Sequence, residues 1–167
     1  MKKQTKHLAL AAAIALPMMA WASPGHDGGQ GDKHGHAHGA DHASAAGMAG
    51  DPAKADRTVE VQLNDTMRFT PDVIKAKAGE TIRFKVVNKG KLPHEMVIGT
   101  KEELDAHAQM MRKMPGMKHE DANQVTLNAG QSGEIVWTFG EAGSYAFACL
   151  IPGHREAGMV GQLSVTP

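Results

Sequence analysis

The chain has 167 residues, room for one ordinary domain plus terminal extras. Its 18 basic and 18 acidic residues cancel, so no overall basic field points to nucleic acid. A single cysteine excludes an intramolecular disulfide, while 11 methionines and 10 histidines make two metal-ligating residue types conspicuous.

Residues 1–22 read as a signal peptide. Lys2, Lys3 and Lys6 form a basic start, Leu8 to Leu16 an apolar run too short to span a bilayer, and Ala20-Trp21-Ala22 supplies small residues for cleavage before Ser23. An uncleaved anchor is the competing reading, and the short apolar run speaks against it. Lys2-Lys3 is not a twin-arginine signal, so the expected route is general secretion of an unfolded chain to the periplasm, with no membrane span in the mature protein. Losing those three lysines leaves 15 basic against 18 acidic residues, a mildly acidic product. A lone thiol in an oxidising compartment is a liability unless something occupies it, which is a first hint that Cys149 has a chemical role.

Residues 23–57 are built of Gly, Ala, Asp and His, with too few large apolar side chains to offset ordering entropy, and are expected to form a disordered leader. His26, His34, His36, His38 and His42 lie in it. Neutral imidazoles there can bind Cu(II) or Zn(II); the alternative is a solvated tail with incidental histidines. Their dispersal argues against a cloning tag.

A domain is expected over 58–167. Val59, Val61 and Leu63 alternate with polar residues, Val73 to Ala78 is extended, and Ile82, Phe84 and Val86 alternate before the turn residues Asn88-Lys89-Gly90. Met96 to Ile98, Val125 to Leu127, Ile135 to Phe139, Ser144 to Cys149 and Met159 to Val165 continue the pattern, with glycines in or beside the intervening turns. Seven to eight short strands predict an all-β Greek-key β-sandwich or barrel. One helix interrupts it: Thr100-Lys101-Glu102-Glu103 fits a capping box, and helix formers run to Lys113 before Pro115-Gly116.

The segment Cys149-Leu150-Ile151-Pro152-Gly153-His154-Arg155-Glu156-Ala157-Gly158-Met159 carries the chemistry. A thiolate ends one strand, an imidazole sits in the loop and a thioether opens the next strand. Thiolate, two imidazoles and a weak axial thioether suit copper cycling between Cu(I) and Cu(II). The second imidazole is assigned to His94, which starts a strand after the turn at 88–91. His107, in the helix, and His119, in a loop, compete for that role but begin no strand. Singly, each ligand has a bland reading as buried small hydrophobe, loop histidine or core methionine; jointly, in one loop of an exported β-chain, they do not.

Tyr145-Ala146-Phe147-Ala148-Cys149, then x4-His154, then x4-Met159, resembles the copper loop of cupredoxins, the plastocyanin/azurin-like proteins. Phe69-x-Pro71, Ala78-Gly79-Glu80-Thr81 and His94 resemble that family's upstream half. The resemblance implies a type 1 copper ion held by His94, Cys149, His154 and Met159. Many cupredoxins follow the first histidine with Asn, which ties the ligand loops together by hydrogen bonds; Glu95 stands here instead. His94-Glu95 before an apolar strand, a His-rich leader and a Met-rich insertion are similar to the CopI-type cupredoxins of bacterial copper-tolerance operons.

The insertion, residues 100–119, holds Met110, Met111, Met114 and Met117 beside His107 and His119. Thioethers bind Cu(I) without deprotonation, so these are candidate accessory copper ligands; the alternative is helix packing. The expectation is copper capture and redox buffering in copper tolerance, with copper ions and redox or copper-handling proteins as partners. The alternative is a mobile electron shuttle. Catalysis is not expected, because Ala148 and Leu150 rather than histidines flank Cys149 and no second loop cysteine is present.

Overall fold

Alternating apolar and polar side chains fold into two facing five-stranded sheets in the computed structural model, which describes residues 44–114 and 121–167. In chain order the elements are β1 (Gly47–Ala49), a 3-10 turn at Pro52–Lys54, β2 (Arg57–Asn64), β3 (Arg68–Thr70), β4 (Val73–Lys77), β5 (Thr81–Asn88) and β6 (His94–Gly99). Then follow α1 (Lys101–Lys113), β7 (Gln124–Leu127), β8 (Ser132–Phe139), β9 (Gly143–Ala148) and β10 (Val160–Thr166). One sheet runs β1-β8-β5-β2-β3 and the other β4-β10-β9-β6-β7. Only the β2–β5 and β4–β10 pairs are parallel.

The expected all-β sandwich with one inserted helix is what forms. Val61, Leu63, Ile82, Phe84, Val86, Ile135 and Trp137 line the inner face of the first sheet. They pack on Ile74, Met96, Ile98, Phe147, Leu163 and Val165 of the second. Phe69 meets Phe147 edge to face, ring centroids 4.9 Å apart.

β6 is buried at every position. A strand covered on both faces reads as a continuous apolar run, and α1 supplies the outer cover. Leu104 and Ala108 of α1 pack with Val97, Ala148 and Leu150. The predicted capping box is present: Glu103 N–H donates to Thr100 Oγ1 at 3.2 Å, and Thr100 N–H to Glu103 Oε2 at 2.8 Å.

Two expectations need correction. The domain begins before Thr58: β1 pairs with β8, Ala46 is fully buried, and Trp137 Nε1–H donates to its carbonyl at 3.0 Å. Gly47-Met48-Ala49 joins the sheet through backbone bonds, so its small, non-alternating side chains conceal it in the sequence. Ten strands form among the described residues, two beyond the eight read from the pattern; β1 and β3, three residues each, are too short to show a period. The signal peptide, the histidines from His26 to His42, and Met117 and His119 lie outside the described residues. Within those residues no helix is long and apolar enough to cross a membrane.

Candidate metal centre

Side chains two apart on a strand share a face, and that rule aims three residues of the second sheet at one place. Met96 and Ile98 of β6 point into the core, so His94 does too. Phe147 of β9 points inward, so Cys149, just past the strand, follows. Leu163 and Val165 of β10 set the same parity for Met159, just before it. β9 lies between β6 and β10 and is antiparallel to both, so the start of β6, the end of β9 and the start of β10 meet at one end of the sheet. His94, Cys149 and Met159 are all fully buried.

The fourth residue arrives by local turns. His154 N–H donates to the Ile151 carbonyl at 3.0 Å, Ala157 N–H to Gly153 at 3.1 Å and Met159 N–H to His154 at 3.0 Å. Cys149 N–H donates to the Met159 carbonyl at 3.1 Å and closes the loop. Gly158 adopts φ +100°, and a Cβ there would lie 2.6 Å from Arg68 Nη1. That guanidinium donates to the Ala157 carbonyl at 2.9 Å and pins the loop to the other sheet.

His154 is folded back so that its Nδ1 lies 3.3 Å from Cys149 Sγ. The His94 and His154 ring centroids are 5.0 Å apart. One ring nitrogen of each histidine and the cysteine sulfur all lie within 4.8 Å of one another. That spacing allows one ion to touch all three.

The chemistry of these donors fits a soft or borderline cation. Burial pushes the Cys149 thiol up to about 12, so it keeps its proton at neutral pH until a cation replaces it. Desolvation, and then the neighbouring His94, hold the His154 imidazole below its ordinary value, in the neutral form that ligates metals. His94 Nδ1 is buried with no hydrogen-bond partner among the described residues. Leaving such a group unmet costs about 1–3 kcal/mol, and a metal bond would satisfy it. A cleft of about 460 Å3 lies outside the loop, lined by Asp105, Gln109, Arg112, Arg155, Glu156 and Val160, with charges already paired: Arg155 with Asp105 at 2.8 Å, Arg112 with Glu156 at 3.5 Å.

Glu95 ties the loop after Cys149 to its neighbouring strands. Its backbone N–H donates to Cys149 Sγ at 3.3 Å. Its carboxylate accepts from Leu150 N–H at 3.3 Å and from the Thr126 hydroxyl at 3.4 Å, linking the ligand loop to β6 and β7. Burial raises the carboxyl above its ordinary value, opposed by those two bonds.

Of the residues singled out in the sequence, the structure brings His94, Cys149 and His154 together and places Met159 in the same buried cluster. His107, Met110 and Met111 sit half-buried on α1, and Met114 caps it, exposed, its N–H on the Met110 carbonyl at 3.0 Å. His107 is therefore not the second imidazole of this centre. Asp65, whose carboxylate lies 3.0 Å from His94 Nε2, is a contact the sequence does not reveal, since Asn64-Asp65-Thr66 reads as an ordinary turn.

Two mixed sheets that converge two histidines and a cysteine at one end define a small copper-binding β-sandwich protein. The chain belongs to the copper-binding proteins of the plastocyanin/azurin family, whose model matches residues 55–166. It is 53% identical over 156 residues, 93% of each chain, to the copper-resistant cuproprotein CopI of Rubrivivax gelatinosus. It is 41% identical to the protein of that name from Pseudomonas aeruginosa, over 75% of this chain and 85% of the other. The fold resembles dithionite-reduced auracyanin from Roseiflexus castenholzii, with TM-score 0.57 and 23% identity over 68% of this chain and 99% of that one.

Proposed function

We propose that this chain is an exported, periplasmic copper-tolerance protein that holds one copper ion at a type 1 site and captures and redox-buffers the metal without catalysing a reaction. The approach of two imidazole nitrogens and one thiol sulfur to within 4.8 Å at the end of the core carries this reading. The tolerance role draws on the CopI relatives, described as copper-resistant, and on the extra histidines and methionines outside the centre.

Copper bound there would supply one-electron chemistry. His94 and His154 would hold it through imidazole lone pairs, Cys149 through its sulfur once the thiol proton is lost, and Met159 would add a weaker thioether. The sulfur is fully buried with Ile151 packed against its cluster, and Glu95 and Arg68 hold the loop so that little moves when charge changes. Ala148 and Leu150 beside the cysteine provide no imidazole bridge to further copper ions.

Titrating the purified protein with Cu(II) while recording visible spectra tests the site. One equivalent with an intense sulfur-to-copper band is expected; binding without such a band would overturn it. A mobile electron shuttle would use the same centre but would not need the leader. Removing residues 23–43, which spares β1, is expected to make the host more copper-sensitive. Unchanged sensitivity would favour the shuttle.

A further inference from the structure

The β2–β3 turn is shaped by Met67 N–H on the Asn64 carbonyl at 3.1 Å and Thr66 N–H on Asn64 Oδ1 at 3.0 Å. It presents Asp65 to the segment that leads into β6. There Asp65 Oδ2 accepts from Lys91 N–H at 2.8 Å, Oδ1 accepts from Leu92 N–H at 3.2 Å, and Oδ1 faces His94 Nε2 at 3.0 Å. Gly90 makes room for this reach: a Cβ there would fall 2.0 Å from Oδ1. The carboxylate is thus placed from two sides before it meets the histidine.

A carboxylate at this distance only accepts, so Nε2 must be the nitrogen carrying the proton. In the neutral ring Nδ1 then keeps its lone pair, and it is the buried nitrogen that has no other partner among the described residues. We propose that Asp65 is a positioning residue for the copper site: it fixes His94 in the Nε2–H tautomer with Nδ1 toward the metal, and its negative charge favours Cu(II) over Cu(I). This rests on His94 being a copper ligand, as argued above. A carboxylate bonded to the far nitrogen of a ligating imidazole sets the ring's orientation and raises its basicity. A nearby anion also stabilises the more positive oxidation state. A strap that merely joined two turns would do neither.

The test starts on metal-free, 15N-labelled mature protein, where long-range proton–nitrogen correlations report each histidine's tautomer. Wild type is expected to show His94 as a single Nε2–H form, and Asp65→Ala a mixture. With Cu(II) added, Asp65→Ala is expected to lower affinity about 10–100-fold. Asp65→Asn keeps an acceptor for Nε2–H but turns an amide N–H toward Lys91, so it should retain the tautomer and raise the reduction potential. Gly90→Ala should displace the carboxylate and act in the same direction as Asp65→Ala.

Unchanged tautomer, affinity and potential in both Asp65→Asn and Gly90→Ala would overturn the inference, whether or not Asp65→Ala folds. If wild type lacks the sulfur-to-copper band, the type 1 reading fails by itself, while the tautomer measured without metal still judges Asp65.

Discussion

In the sheet ordered β1-β8-β5-β2-β3, inward positions are mostly Val, Leu, Ile, Phe and Trp, with the buried Asn88 at the end of β5, and no candidate ligand comes from its strands. In the facing sheet the same pleated rule aims His94, Cys149 and Met159 at one end, with His154 folded over them from the connecting loop. Besides apolar packing, the first sheet reaches the centre through two polar side chains at one edge, Asp65 before β3 and Arg68 within it. One sheet therefore supplies mass and stiffness and the other supplies donors, so stability and metal chemistry should respond to different substitutions.

Cys149→Ser is the sharpest way to break that division: visible absorption of the copper-loaded protein should vanish while urea denaturation of the apo form changes little. Retained colour would refute the ligand assignment. On the opposite sheet, Phe84→Ala empties a fully buried ring position and should cost about 3–5 kcal/mol in urea denaturation, leaving the copper spectrum of the folded fraction as it was. A changed spectrum there would mean that the scaffold sheet also sets ligand geometry. Met159→Leu should keep copper bound but shift colour and potential; total loss of metal would exclude a merely weak thioether contribution.

Smaller effects test how α1 is seated. Thr100→Ala removes half of the capping box and should cost about 1 kcal/mol of stability with unchanged copper spectra. Hydrogen bonds from Lys101 and then Arg155 hold the Asp105 carboxyl below its ordinary value. Its contribution is thus complete above the usual carboxylate range and disappears as pH falls through the lower folded value. The stability gap between wild type and Asp105→Asn should be small and should close as pH falls from neutrality through the ordinary carboxylate range and below it. A gap constant over that range would show that the Asp105 charge gains nothing from Lys101 or Arg155.

The ligand loop is legible because its chemistry is local. Cys149, His154 and Met159 lie in one short segment whose spacing alone places a thiol, an imidazole and a thioether within reach of each other. The helix start is legible for the same reason, since a capping box is closed within four residues. β1 is not, because its place depends on Trp137 and on backbone partners in β8 far along the chain.

The sequence by itself determined the strand alternation, the helix and the loop that carries three candidate ligands, all of which rest on contacts within a few residues. Tertiary structure alone decided that β6 lies beside β9, which brings His94 to Cys149, and that Asp65 and Glu95 grip the ligands from either side. Those contacts join residues 29 to 55 positions apart, and nothing in a local pattern encodes which distant partner a turn or strand end will meet.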